Sequence, residues 1–456
     1  MNSESNNVKD LEYKPIPQLI KQYFLPAFAG VVINSLYNIV DRIFIGQAVG
    51  ANALAGLSSI FPIMVIMMAF GMLVGAGGGV RVSLNLGKKD IKRAEQVLGN
   101  SFVLLIIMSV IISIIGFALR EPMLLAFGVD EKTHSYALDY LNIILLGTTF
   151  NVVGYGMNNI IRAEGSANVA MFSMLISAGM NIVLDYVFIV LFKKGVEGAA
   201  LATVISQIVL CVWVVYHFRG NKSVIKLKGK MMKLKKDIIS YIFTIGFAPF
   251  SMQLVSSAVF FVYNYQLMQY SNDLALSAMG VIMSVAMLMV MTIISINMAV
   301  QPIISFNFEA KHFDRVYDTL RIAVIFATVV SCVAWGLVHI FPEQIIRTFN
   351  RDSDEMLEIG VRGIKIFTLV FPLIGFQIII GNYYQAIGKA GLATLLSLLR
   401  QAILLIPLLL TIPQIYGLYG VWMSTPIADT LAAIVCSFFL VREFRKLKAL
   451  RQEYSC

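Results

Sequence analysis

The chain has 456 residues, of which 58% are hydrophobic and 14% are charged, and its formal net charge is +10. Soluble proteins contain about 45–50% apolar and about 25% charged residues. One aqueous core could not bury this much apolar surface, so lipid must solvate part of the chain, and an ordinary soluble enzyme is excluded.

The chain begins with a polar, proline-containing stretch of about twenty residues. It lacks the basic start, apolar run and cleavage site of a signal peptide, so we expect the first membrane span to insert uncleaved. Twelve apolar runs near the length that crosses a bilayer follow it. These predicted spans lie at roughly 23–46, 53–83, 97–119, 137–161, 168–191, 196–217, 241–268, 275–306, 320–341, 363–386, 392–413 and 417–441.

The loops between these spans differ in charge. Lysine and arginine are dense at 88–93, at 218–237 between the two sets of six spans, and in the tail from 442. Because cytoplasmic loops carry the excess of basic residues, these segments and both termini are predicted to be cytoplasmic. Topology and contact with anionic headgroups explain the positive charge, and nucleic acid is not an expected partner.

The two sets of six spans also resemble each other. Segment 82–98 aligns with 304–320, and 195–203 aligns with 417–425, at a constant offset. Six spans return the chain to its starting side, so the repeats are parallel, which suits alternating access. The predicted fold is an all-α polytopic membrane protein with twelve transmembrane helices in two pseudo-symmetric six-helix bundles around a central cavity. Its predicted domains are an N-terminal segment (1–18), an N-lobe (19–217), a basic linker (218–240), a C-lobe (241–441) and a tail (442–456).

Two acidic residues within the spans are the strongest functional candidates, because intramembrane charge is costly. Asp41 and Asp185 lie late in the first and fifth spans, which run in the same direction, so their carboxylates are expected at similar depth. The alternative is that Asp41 pairs with adjacent Arg42 at the membrane surface, although neighbouring residues face different sides of a helix. In the second repeat Asn264 and Pro407 replace the two acids, so ion coupling is predicted in the N-lobe.

Amides and a hydroxyl accompany these acids at helical spacing, and we expect them to converge on one polar pocket. They are Asn34, Asn38, Asn181 and Thr203, with Asn159 on a further polar stripe in the fourth span. Tyr37 and Met157 either face the cavity or simply pack, since such side chains are usually buried. Pro26 could kink the first helix.

The last two spans contain Arg400 and Asp429 at broadly similar depth. A buried salt bridge within the C-lobe is the favoured interpretation, because an unpaired charge there is so costly. The alternative is that Asp429 is a second carboxylate for an ion or a substrate.

Other features argue against an enzyme. The glycine-rich stretch 71–87 lies within a span, where it indicates close helix packing and not nucleotide binding. The four cysteines and four histidines have no metal-ligand spacing. We therefore expect no cofactor, no resident metal and no catalysis.

The chain resembles the multidrug and toxic compound extrusion (MATE) family, in its DinF-like or MepA-like bacterial branch, from about residue 15 to 445. The motifs that support this are LPAFAGVVINSLYNIVDRIFIG, GAGGGVRVSLNLGKKDIKRAE, IIRAEGSANVAM, NIVLDYVFI and GVEGAALATVISQ. The resemblance implies a multi-pass protein of the bacterial cytoplasmic (inner) membrane that exports organic cations in exchange for H⁺ or Na⁺. A monomer is expected.

The resemblance also implies site residues. The coupling site would comprise Asp41, Asn181, Asp185 and Thr203, with Na⁺ possible at these oxygens. Tyr140 and Asn158, or its neighbour Asn159, would join the polar network. Some members use an acid in the seventh helix, but the segment PFSMQLVSSAVFFVYNYQL has none here.

A lipid or lipid-linked oligosaccharide flippase of the same superfamily is the main alternative. Such cargo calls for cationic side chains along the cavity. Arg400 is the only basic residue deep in a span, and the candidate pocket is acidic, which favours cationic cargo. A scaffold or receptor would have little use for a duplicated bundle with paired buried acids.

Overall fold

The computed structural model describes residues 4–126, 129–270, 273–349 and 354–454, which are almost entirely helical and contain no strand. Twelve of the helical segments in these ranges are long and apolar enough to cross a membrane. This confirms the all-α polytopic fold class. The chain divides into two compact units, one up to Phe250 and one from Ser251, so the division falls within a helix.

The first unit contains six spans and the start of a seventh. Its helices are α1 (Glu4–Tyr13), α2 (Ile16–Ala48), α3 (Ala51–Gly87), α4 (Ile91–Ala126), α5 (Glu131–Ala163), α6 (Ala167–Asp185) followed directly by a π-helix (Tyr186–Leu191), α7 (Gly195–Arg219), a 3₁₀ turn (Gly229–Met231) and the first part of α8 (Lys236–Tyr270).

The second unit contains the rest of α8 and five further spans. Its helices are α9 (Asp273–Glu309), α10 (Phe313–Ile340), α11 (Pro342–Phe349), α12 (Asp354–Phe367), a 3₁₀ turn (Phe371–Leu373), α13 (Ile374–Ala386), α14 (Ala390–Leu398), a π-helix (Leu399–Leu405), α15 (Ile406–Thr411) and α16 (Pro413–Tyr454). α16 bends at Gly417, whose φ of 56° favours glycine.

Local sequence explains where α5 begins. Asp130 is its N-cap, and the side chain accepts a hydrogen bond of 2.9 Å from the backbone N–H of Thr133. The Thr133 hydroxyl also donates to this carboxyl, and these hydrogen bonds lower the pKa of Asp130.

Glycines allow α3 to lie against its neighbours at backbone contact. A Cβ placed on Gly75 would be 2.7 Å from the backbone of Gly156 in α5. One placed on Gly77 would be 2.1 Å from the carbonyl oxygen of Ile242 in α8. The prediction of close packing for the glycine-rich stretch is therefore confirmed, and its glycines let α3 pack closely against α5 and α8.

A buried polar cluster fastens the ends of several helices in the first unit. Glu164, just after α5, is fully buried, and its carboxylate contacts the His217 ring at the end of α7. The carboxylate also accepts a hydrogen bond of 2.6 Å from the Ser223 hydroxyl. Tyr23 of α2 donates to the Gly165 carbonyl at 3.1 Å.

The segment after α7 continues this attachment along α4. Residues 223–228 are non-helical, and Ser223, Ile225 and Leu227 are buried at alternate positions. Lys228 Nζ lies 2.7 Å from the Glu95 carboxylate. The Asn100 side-chain oxygen accepts a hydrogen bond of 2.7 Å from the backbone N–H of Lys235. The segment between the two repeats is thus attached to α4 and to the end of α5 at several points.

Candidate functional site

The two predicted acids lie in adjacent helices of the first unit, near the same end. Asp41 lies seven residues before the end of α2, and Asp185 is the last residue of α6, just before the π-helix. α2 packs against α6 and against that π-helix. Asp41 is 8% exposed and Asp185 is completely buried. The fold therefore brings both carboxylates to one level, as predicted.

Three of the four carboxylate oxygens have no hydrogen-bond donor among the described residues. Neither oxygen of Asp185 nor Oδ1 of Asp41 has a hydrogen-bond partner among the described residues. The two side chains are also within electrostatic range of each other. Buried carboxylates are normally paired or hydrogen-bonded, because desolvation of an isolated charge is expensive. Keeping both carboxylates charged at this position would therefore be energetically costly.

Asn181 and Thr203 form the next part of the site. Asn181 lies one turn before Asp185 in α6, and its Nδ2 donates to the Thr203 hydroxyl of α7 at 3.4 Å. This contact directs Asn181 Oδ1 away from Thr203, and that buried oxygen has no donor in the part of the chain that the structure describes. The amide therefore adds another free acceptor to the two carboxylates.

Tyr140 of α5 and Tyr37 of α2 complete the polar cluster. Tyr140 is 3% exposed and interacts with the Thr203 side chain. It also lies within electrostatic range of Asp41, Asp185 and Tyr37. Four helices (α2, α5, α6 and α7) thus contribute to one buried set of oxygen atoms.

Asp41 does not form the alternative interaction, an ion pair with Arg42. Arg42 is exposed and its guanidinium lies over the Phe61 ring, 5.4 Å from the centroid. Within the described ranges, no ion pair joins it to Asp41. The neighbouring charges point apart, as helical geometry requires.

The donor set determines which ligands suit this site. It consists of carboxylate, amide and hydroxyl oxygens, which suit a proton or a hard cation such as Na⁺. No group of three or more His, Cys, Asp or Glu side chains that could hold a metal ion occurs in the ranges searched. Transition-metal chemistry therefore has no ligand set among those residues.

Three other candidates lie elsewhere in the first unit. Met157, Asn158 and Asn159 follow Tyr140 by 17 to 19 residues on α5, about 27 Å along the helix axis. Asn158 is 1% exposed and donates to the Ala170 carbonyl and the Ser173 hydroxyl, so it joins α5 to α6. Met157 is completely buried as a packing residue. The structure does not bring these three side chains to the carboxylates.

The remaining predicted residues are placed as follows. Asn34 and Asn38 lie on α2, but their side chains fall outside the described residues. Pro26 lies inside α2, 15 residues before Asp41, or about 22 Å along the axis. In the second unit, Arg400 Nη1 lies 3.2 Å from Asp429 Oδ1, so the predicted ion pair is formed.

The π-helices were not predicted. One begins directly after Asp185, and the other contains Arg400, so each adjoins an intramembrane charge. A π-turn widens the backbone spacing locally and is frequent at functional sites. No periodicity in single residues distinguishes such a turn from a continuous α-helix.

Comparisons with known proteins cover nearly the whole chain. The MatE family model matches residues 26–187 and again 249–411, once in each repeat. Multidrug export protein MepA of Staphylococcus aureus (strain MSSA476) is 27% identical over 434 residues, which are 95% of each chain. A solved structure of the MATE multidrug transporter DinF-BH in complex with a ligand is 38% identical, with a TM-score of 0.88, covering 93% of this chain and 95% of that one. A MATE crystal structure in the bent conformation has a TM-score of 0.91 at 22% identity, covering 98% and 99% of the two chains, which supports the fold alone.

Proposed function

The chain belongs to the MATE family of multidrug efflux transporters, and from this premise we propose that it exports organic cations in exchange for H⁺ or Na⁺. The observation that carries the proposal is the set of buried carboxylate oxygens on Asp41 and Asp185 without donors among the described residues. Two neighbouring buried acids repel each other unless a cation neutralises them. The same charge that takes up the small ion would attract a cationic cargo.

The exchange follows from competition for this charge. When H⁺ or Na⁺ binds at Asp41 and Asp185, the pocket becomes less negative and a bound organic cation is released. When the ion leaves, the pocket regains its charge and accepts another cation. Linked equilibria of this kind require the two ligands to favour opposite states of the transporter. Alternating access of the pocket to the two sides of the membrane would make the exchange directional.

The proposal includes the setting of the protein. This multi-pass membrane chain would reside in the bacterial cytoplasmic membrane as a monomer, with both termini in the cytoplasm. It would need no cofactor and catalyse no reaction. Its relatives are transporters, and the names of two of them support a drug as cargo: MepA is a multidrug export protein, and DinF-BH is a multidrug transporter.

A flippase for anionic lipids is less well supported. Its cargo would require cationic side chains at the site. The described residues of the site in the first unit carry two acids and no cation facing them, and Arg42 lies over Phe61. Arg400 in the second unit is engaged by Asp429. We therefore propose no lipid-flipping function.

Transport by purified protein in proteoliposomes tests the proposed exchange and identifies the ion. Movement of ethidium, a cationic dye, is measured under an imposed pH gradient without Na⁺, and separately under a Na⁺ gradient at constant pH. We expect one of these gradients to drive the dye against its concentration gradient. An uncoupler or a Na⁺ ionophore should abolish the matching response. Dye movement that is independent of both gradients would reject exchange.

Thr203 provides a test of the site geometry. Thr203→Val keeps the shape but removes the hydroxyl that holds Asn181, whereas Thr203→Ser keeps the hydroxyl. Losing a group that orients an ion ligand typically weakens ion binding about 10- to 100-fold. The valine variant should therefore need about tenfold more coupling ion for half-maximal efflux. The serine variant should remain close to the parent protein. Equal behaviour of both variants would remove Thr203 from the site.

A further inference from the structure

The second unit contains a separate buried acid whose hydrogen bonding is incomplete. Asp429 of α16 is 1% exposed, and its Oδ1 is held by Arg400 Nη1 at 3.2 Å. Its second oxygen, Oδ2, is buried and accepts no hydrogen bond from any residue that the structure describes. A structural salt bridge in a low-dielectric interior is favourable only when the remaining lone pairs are also satisfied.

Gln377 of α13 places a second free acceptor beside this acid. Its Nε2 donates to the backbone carbonyl of Asp429 at 3.1 Å, and the side chain is 6% exposed. That contact fixes the amide orientation, because a flipped amide would turn its oxygen towards the carbonyl. Gln377 Oε1 is buried and has no donor within the described ranges. Asp429 and the residue that contacts its backbone thus each have one side-chain oxygen without a donor among the described residues.

The surrounding side chains are fixed by their own contacts. The Tyr263 hydroxyl of α8 contacts the Thr425 hydroxyl, one turn before Asp429. The side-chain oxygen of Gln401, next to Arg400, accepts a hydrogen bond of 3.0 Å from the Ser256 hydroxyl. None of these contacts supplies the missing donor to Asp429 Oδ2 or Gln377 Oε1.

Arg400 holds the carboxylate by one contact and is the more exposed member of the pair. It makes a single contact with Asp429, not the two-pronged contact that makes arginine–carboxylate pairs strong. Arg400 is 18% exposed, against 1% for Asp429. Arg400 also belongs to the π-helix, and its guanidinium is carried by a long side chain. Arg400 and Tyr263 are the titratable groups that interact with Asp429 from neighbouring elements.

We propose that Asp429 Oδ2 and Gln377 Oε1 form a second site for a small monovalent cation, H⁺ or Na⁺, and that Arg400 is a tethered cation that competes with it for Asp429. Two acceptors without a donor are matched by one proton between them or one Na⁺ bound by both. Arg400 neutralises the carboxylate when the ion is absent, so the buried negative charge always has a positive partner. This site is separate from the Asp41 pair and does not depend on its coupling role.

Thermal unfolding of the purified full chain in lipid nanodiscs tests this site. The measurements use an Asp41→Asn/Asp185→Asn background, so that the first site is silent, and follow the Tm against pH and against Na⁺ at constant ionic strength. A cation that binds the folded state raises the Tm as its concentration increases. In this background, Asp429→Asn should abolish the Na⁺ response and, in the pH titration, remove the part of the Tm change that comes from Asp429, and Gln377→Leu should weaken both. The two titrations distinguish H⁺ from Na⁺.

Arg400→Gln is the decisive variant, because it removes the competitor. Removing an opposite charge next to a carboxylate changes its cation affinity by about tenfold or more. The variant should therefore respond at a cation concentration about tenfold lower than the background protein. If Arg400→Gln lowers the Tm equally at every cation concentration, the pair is only a salt bridge and the site is refuted.

Folding of the variants can be controlled. Asn keeps the volume of Asp429, and its oxygen still accepts from Arg400. The neutral double variant Arg400→Gln/Asp429→Asn leaves no unpaired charge, so it should fold and show no cation response. A cation response that persists in this double variant would overturn the assignment to Asp429. No dye transport is measured, so the result is independent of whether Asp41 couples export.

Discussion

Asp41→Asn is expected to abolish gradient-driven export of ethidium while the protein remains inserted and folded. Asn has the volume of Asp but cannot take up a proton or carry a charge, so the ion and the cargo no longer compete at the pair with Asp185. Coupling between two ligands is typically about 5- to 150-fold in affinity. We therefore expect concentrative export to fall about 100-fold, which energised proteoliposomes loaded with the dye would measure.

The controls separate loss of coupling from loss of folding. Asp185→Asn should have the same effect as Asp41→Asn, because each carboxylate interacts with the other. Glu197→Gln is a matched change of an exposed acid at the start of α7 and should leave export unchanged. All three variants should be recovered from the membrane in similar amounts. Undiminished export by Asp41→Asn would refute the assignment of the coupling site.

Gly246→Ala is expected to destabilise the first unit strongly, although a glycine-to-alanine change within a helix normally stabilises it by about 1 kcal/mol. An alanine Cβ at this position of α8 would lie 1.7 Å from the carbonyl oxygen of Leu73 in α3. The Cβ is attached directly to the backbone and the oxygen belongs to it, so neither atom can move away unless the helices separate. Overpacking of this kind costs about 1–3 kcal/mol or more.

The matched control is Gly179→Ala in α6, where an added Cβ meets nothing within 4 Å. It should leave the Tm unchanged or raise it, whereas Gly246→Ala should lower both the Tm and the yield of folded protein. Thermal unfolding and size-exclusion profiles of the two variants provide the comparison. An unchanged Tm for Gly246→Ala would contradict the close packing of α3 on α8.

The sequence was sufficient to predict the spans and the neighbouring positions of Asp41, Asp185 and Asn181, for physical reasons. Spans are visible because bilayer thickness fixes the length of each apolar run. Asp41, Asp185 and Asn181 are visible because charge and polarity are rare in such runs, and helical spacing places Asn181 one turn from Asp185. The ion pair between Arg400 and Asp429 was predictable on the same grounds.

Other features depend on tertiary contacts that no local pattern specifies. Asn158 has the polarity of a site residue, yet its amide joins α5 to α6. Nothing in the chain marks Gln377 as the neighbour of Asp429, because the two belong to distant helices. The two π-helices and the buried position of Glu164 also arise from packing. Predicting them requires knowing which helix faces lie together.

The attachment of the inter-repeat segment to the first unit affects how this protein can be divided. Co-expression of two half-chains, or insertion of a fluorescent domain between the repeats, would ordinarily use the connection after α7. Here a break at residue 217 would strip α4 of Lys228 and Lys235, and α3 of Gly246. A first half that keeps these contacts must instead extend into α8, past Gly246. The border between the two compact units therefore lies inside a membrane-spanning helix and not in the connection after α7.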